Sequence, residues 1–150
     1  MSIRFFKIDT TTTILIPFFP EGIKAGFPSP ATDYLEEAID LNKELIKNPS
    51  STFLGKATGD SMIDEGIDEG DVLVIDKSLP FENNKKILVY LEGGFTVKKL
   101  SIQKGKMYLV PGNPDYKPIL INADVTLWGV VTYIIKKCWK LNFHTSSFSI

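Results

Sequence analysis

Residues 86–100 read Lys-Ile-Leu-Val-Tyr-Leu-Glu-Gly-Gly-Phe-Thr-Val-Lys-Lys-Leu. Two runs rich in aliphatic, β-branched and aromatic residues, Lys86 to Leu91 and Phe95 to Leu100, flank Glu92, Gly93 and Gly94. Such runs around a glycine-bearing turn read as two antiparallel strands. The same texture continues outward. Upstream it covers Ser51 to Ala57 and Asp71 to Asp76; downstream, Lys106 to Val110, Ile119 to Ile121 and Thr126 to Ile135. Lys104-Gly105 and Gly112-Asn113-Pro114 punctuate the downstream half. No strand–helix–strand rhythm appears, which argues against a parallel α/β fold. A compact, mostly β, folded antiparallel sheet is expected.

Before Pro49 the pattern changes. Between Ala31 and Lys47, Leu35, Ala38, Ile39, Leu41, Leu45 and Ile46 approximate a helical stripe. Asp40 can divide it as a helix cap, and Asn48-Pro49 ends it. Residues 1–25 have no clean period. Thr10 to Thr13 lead into Ile14, Leu15 and Ile16, and Pro17 and Pro20 exclude a central strand, so this part reads as an extended N-terminal arm. Gly26-Phe27-Pro28-Ser29-Pro30 suits a junction, since its prolines force extension and remove donors. Residues 139–150 carry no charge from Leu141 onward and are rich in Ser and aromatics, which reads as a C-terminal extension that is either disordered, the favoured reading, or docked in an apolar groove. The expected organisation is thus an arm at 1–25, a folded body at 26–138 and an extension at 139–150.

With 150 residues, 43% hydrophobic and 23% charged, the chain can bury a core without disulfides or metal. A net charge of −1 gives no reason to expect direct DNA binding. The single cysteine, Cys138, allows no internal disulfide; it is expected to pack, and a cytoplasmic location fits it. The uncharged run from Thr10 to Pro20 is too short and too broken to span a membrane, so no membrane contact is expected. Asp60, Asp64, Glu65, Asp68, Glu69 and Asp71 lack the calcium-loop spacing and read as a solvated acidic surface. Neither metal nor cofactor is expected.

The densest chemical signal is Gly59-Asp60-Ser61-Met62-Ile63-Asp64-Glu65-Gly66. Gly59 permits a tight turn that would expose the Ser61 hydroxyl. A serine needs a base, and the only histidine, His144, lies in the extension. A Ser–Lys pair is the histidine-free arrangement within reach. Its lysine must be neutral, which demands apolar surroundings. By alternation Thr96, Lys98 and Leu100 share one strand face and Phe95, Val97 and Lys99 the other, so one lysine can face inward. From these residues alone, a solvated Lys-Lys edge and a plain Gly-Asp-Ser-Met turn are the favoured readings, with catalysis the minor one.

Six stretches in order carry a resemblance: Gly-Phe-Pro-Ser-Pro-Ala at 26–31, Ile-Asp-Leu-Asn at 39–42, Gly-Asp-Ser-Met-Ile-Asp at 59–64, Gly-Asp-Val-Leu-Val-Ile-Asp at 70–76, Phe-Thr-Val-Lys-Lys-Leu at 95–100 and Trp-Gly-Val-Val at 128–131. Over Gly26 to about Cys138 the chain resembles the UmuD group of the LexA-like self-cleaving serine peptidases, peptidase family S24. The resemblance implies the folded antiparallel sheet of LexA and signal peptidases. It also implies Ser61 as nucleophile, Lys98 as general base and cleavage of the chain's own Ala25–Gly26 bond, with the backbone N–H of Ser61 at the oxyanion. Thr96, on the face of Lys98, is placed to orient the amine. The implied partners are a RecA filament on single-stranded DNA acting as coprotease, a second copy in a homodimer, and a UmuC-like Y-family DNA polymerase served in translesion synthesis.

The chain departs from that pattern in two places. Asn83, Asn84, Lys85 and Lys86 stand where the family commonly opens the strand with Gly-Asp, and residues 139–150 extend past its usual end. Two alternatives share the scaffold. A LexA-like SOS transcriptional regulator needs a DNA-binding module of several helices, for which residues 1–25 leave no room. A non-catalytic polymerase-binding module would keep the arm solely as a regulated contact. Signal peptidases use similar chemistry but anchor to membranes through an apolar segment that is not found here.

Overall fold

A computed structural model describes residues 2–11, 13, 15–18, 37–58, 65–112 and 115–138. Its elements are β1 (Ser2–Phe6), β2 (Leu15–Phe18), β3 (Glu37–Asp40), α1 (Leu41–Leu45), a 3₁₀ turn at Pro49–Ser51, β4 (Thr52–Thr58), β5 (Val72–Asp76), β6 (Lys86–Leu91), β7 (Gly94–Gln103), β8 (Lys106–Val110), β9 (Ile119–Leu120) and β10 (Thr126–Ile135). The mostly β antiparallel architecture with a short helical element near its N-terminus agrees with the sequence expectation.

One antiparallel sheet holds eight strands in the order β1-β4-β5-β10-β6-β7-β8-β9, and β2 and β3 form a separate pair. The large sheet curls until its edge strand β1 reaches β7, where the Phe5 and Phe95 rings meet edge-on with centroids 5.0 Å apart. Curling lets β6 and β7 bury both faces. Leu88 and Val97 join Ala57, Ile67, Leu73 and Ile75 in one core cluster. Ile87, Val89 and Leu100 point the other way and pack with Leu109, Val125 and Val130. That is why these strands read as near-continuous apolar runs.

Two hairpins follow from turn chemistry. Glu92 (φ 52°) and Gly93 (φ 78°) join β6 to β7, and Lys104 (φ 49°) and Gly105 (φ 76°) join β7 to β8. Two consecutive positive φ values match the right-handed twist of the flanking strands, and glycine at the second site accepts that conformation without strain. Asn84 stands at φ 67°, ahead of β6. Asparagine tolerates the left-handed region better than most residues.

Three local readings differ from the structure. Glu37–Asp40, expected as helix, is strand β3, because Ile16 and Pro17 of β2 pair with Ile39 and Ala38. The helix begins only at Leu41, where Asp40 does cap it by accepting from the Asn42 N–H at 3.1 Å. Pro17 is tolerated in β2 because a two-stranded sheet has only edge strands. Ser2–Phe6, which has no decisive period, is an edge strand because β4 supplies a partner. Cys138, expected to pack, is exposed.

Candidate active site

Lys98 lies in the first half of β7, opposite Ile87 of β6. Its neighbours Val97 and Leu100 are fully buried, Lys99 is exposed and Lys98 is half-buried. Strand alternation thus separates the two lysines as the sequence suggested. Lys98 lines an open groove of about 600 Å³ with Leu91, Thr96, Pro111, Tyr116 and Ile119 among its walls. Glu92 and Lys117 also line it, so its walls mix apolar and charged side chains. Thr96 sits beside Lys98 there, two residues away on the same strand face.

Ser61 and its turn, residues 59–64, lie outside the described residues, as do Ala25 and Gly26 and the extension at 139–150. The two ends of the Ser61 segment are defined. At one end Thr58 closes β4, in register with Ser2 of β1. At the other, Glu65 is only 5% exposed and is held by Lys86, whose Nζ donates to the Glu65 carbonyl at 2.7 Å and lies 3.4 Å from Oε2. Lys86 is the cross-strand partner of Lys99, one register pair from Ile87 and Lys98. Two residues past Glu65, Ile67 is buried against the cluster that contains Leu88 and Val97. Glu65 and Ile67, just past those residues, are therefore held against the hairpin that carries Lys98. Lys86 and Lys98 project to opposite faces of that hairpin, so the clasp sets where the segment ends without contacting Lys98.

A second clasp holds the following loop. The Lys136 Nζ at the end of β10 donates to Asp68 Oδ2 at 3.0 Å and to Asp71 Oδ2, and the Asp68 N–H also donates to Asp71 at 2.8 Å. Backbone bonds from Ala57 to Asp71 (2.9 Å) and from Gly70 to Ala57 (2.8 Å) tie the loop to β4. Donation to Asp71, and then to Asp68, raises the Lys136 pKa above its ordinary value. Glu65 and Asp71 correct the reading of a uniformly solvated acidic surface, since both are buried and paired with lysines. Sequence inspection missed these clasps because the partners lie 21 and 65 residues apart, and neither spacing belongs to a local pattern. Among the described residues no group of His, Cys, Asp and Glu could hold a metal ion, and no helix is long and apolar enough to cross a membrane.

Comparison with known proteins places this geometry in context. Residues 17–132 match the sequence profile described as Peptidase S24-like. The chain is 43% identical over 121 residues to protein SamA of Salmonella typhimurium, an alignment covering 81% of this chain and 85% of that one. It is 38% identical over 121 residues to protein MucA of Escherichia coli, covering 79% and 82%. A LexA repressor from Carboxydothermus hydrogenoformans is 36% identical over 117 residues, which cover 77% of this chain and 57% of the repressor.

Proposed function

The chain belongs to the S24-like peptidase family, and on that premise we propose that it is a UmuD-like autopeptidase cutting its own Ala25–Gly26 bond with Ser61 as nucleophile and Lys98 as general base. The observation that carries the reading is Lys98, half-buried on an open groove of the hairpin that also holds Glu65, the first described residue after Ser61.

The neutral Lys98 amine takes the Ser61 hydroxyl proton as Oγ attacks the Ala25 carbonyl. The tetrahedral oxyanion meets the backbone N–H of Ser61. Collapse breaks the Ala25–Gly26 bond, and Lys98 returns the proton to the departing Gly26 nitrogen. Water, deprotonated by Lys98, then attacks the acyl ester; Lys98 reprotonates Ser61 and the Ala25 carboxylate leaves. Because substrate and enzyme share one chain, presentation of the junction controls the rate. A RecA filament on single-stranded DNA stimulates that presentation without adding a catalytic group. The product, residues 26–150, acts as a homodimer and as accessory subunit of a UmuC-like translesion DNA polymerase in the cytoplasm.

The test is intact mass before and after incubation at pH about 10, near the unperturbed lysine pKa, where a lysine that is only partly desolvated is neutralised. Fragments ending at Ala25 and beginning at Gly26, absent from Ser61→Ala and Lys98→Ala proteins, are expected. A folded wild-type chain that stays whole at that pH, and also with RecA, ATP and single-stranded DNA, overturns the assignment in favour of a non-catalytic polymerase-binding module.

A further inference from the structure

The part of the chain that this cleavage would sever is woven into the sheet. β1 pairs with β4 from Ser2↔Thr58 to Phe6↔Leu54. Ile3 packs against the core cluster of Ala57, Leu73 and Ile75, and the Phe5 ring sits edge-on to Phe53 at 5.4 Å and to Phe95 at 5.0 Å. β4 is shaped to receive it. A Cβ on the buried Gly55 would stand 2.7 Å from Ile3 Cγ2, closer than real Cβ contacts allow, so the missing side chain is the space that Ile3 fills. A second ladder, β2 on β3, runs from Leu15↔Asp40 to Phe18↔Glu37. β1 and β2 precede Ala25 and their partners follow Gly26. A cut between those residues would therefore leave each ladder with one strand on either fragment.

We propose that the β4 edge, with Gly55, Phe53 and Phe95, is a binding site for an extended apolar peptide, and that its occupant after cleavage is the chain's own residues 1–25. The severed arm stays as a noncovalent edge strand, and its departure is a step separate from the cut. The proposal rests on the Ala25–Gly26 reading for the position of the cut. Its physical basis is that none of the β1 or β2 pairings uses the Ala25–Gly26 peptide bond. A short ladder alone binds weakly, but two on one fragment keep each other at high effective concentration. Recognition follows strand alternation. Ile3 and Phe5 face the body, while the Arg4 guanidinium lies 5.5 Å from the Phe6 ring centroid on the outer side. Departure of the arm would uncover Phe53, Phe95 and a row of β4 backbone groups, a surface suited to a strand from another protein.

The experiment uses the full chain carrying Ser61→Ala and a recognition site for an external protease across residues 21–25, so that the nick does not depend on self-cleavage. Native mass spectrometry and size exclusion are expected to show both fragments together, separating only in denaturant. Phe5→Ala is expected to raise the free fraction of the N-terminal fragment by about tenfold. Gly55→Ala is expected to weaken retention, with Ile3→Ala in the same chain restoring it. A C-terminal fragment that elutes alone with its circular dichroism intact overturns the proposal. So does unfolding on nicking, because the arm would then be part of the fold and not a ligand, and so does retention indifferent to Phe5→Ala. Wild-type protein incubated in parallel separates the two claims. If it stays whole while the nicked variant keeps its arm, self-cleavage fails and the binding site stands.

Discussion

At Asp76 four donors converge on one carboxylate that is 3% exposed. Asn48 Nδ2 donates at 2.7 Å, Ser51 Oγ at 2.9 Å, and Ser78 both through its N–H at 2.8 Å and through Oγ at 2.7 Å. Burial pushes the carboxyl upward, but the bonds from Asn48, Ser78 and Ser51 together outweigh it and hold the pKa below its ordinary value. A lowered carboxyl contributes stability above its unfolded pKa and loses it as pH falls through the folded one. Asp76→Ala is therefore expected to cost about 2–4 kcal/mol at pH 7 by urea denaturation, because it strands several donors. The gap to wild type should narrow below about pH 4; a gap unchanged at pH 3 would show that ionisation is not what matters. Lys98 supplies a second prediction at this scale. Lys98→Arg keeps the positive charge, but a guanidinium stays protonated, so self-cleavage should fall by roughly 10² or more at every pH up to 10 while the melting temperature changes little. Alkaline rescue of this variant, read by intact mass, would remove Lys98 from the role of base.

The strands show where local sequence is enough and where it is not. Lys86–Leu91, Lys106–Val110 and Thr126–Ile135 occur with the bounds that their apolar runs suggest. Those runs are legible because the strands are buried on at least one face and closed by turn residues. β3 was not legible, since Ala38 and Ile39 fit a helical stripe equally well and only β2 decides between them. The site divides in the same way. Alternation along β7 separates Lys98 from Lys99, whereas the Glu65–Lys86 clasp exists only once the strands are assembled. The hairpin turns lend themselves to a test of this local control. Lys104 occupies a positive-φ site at 49° followed by Gly105, where asparagine is the preferred partner. Lys104→Asn should raise stability by about 0.5–1 kcal/mol through the turn alone. Gly129→Ala in β10 should do the opposite, by about 1–3 kcal/mol, because its Cβ would stand 2.8 Å from Ile75 Cγ2 and 3.3 Å from the Asp76 carbonyl. Thermal unfolding of the two variants in parallel checks both signs.

For the whole molecule, a charged clasp closes the rim of the sheet where β5 and β10 lie side by side. Lys136 holds the end of β10 to the loop between the Ser61 segment and β5. Its pKa is raised by donation to Asp71 and then to Asp68. A raised cationic group contributes stability that is fully present below the unfolded lysine pKa, about 10.4, and is lost as pH climbs through the higher folded value. The Lys136 clasp is therefore expected to survive incubation near pH 10. Lys136→Met is expected to lower the melting temperature at pH 7, since it leaves the 5%-exposed Asp71 carboxylate without its cation. The difference from wild type should persist to about pH 10 and shrink above it. Scanning calorimetry from pH 7 to 11 reads this directly. A difference already gone by pH 9 would mean that the clasp opens before the lysine titrates, and that the loop after Ser61 is loosened by alkali independently of Lys98.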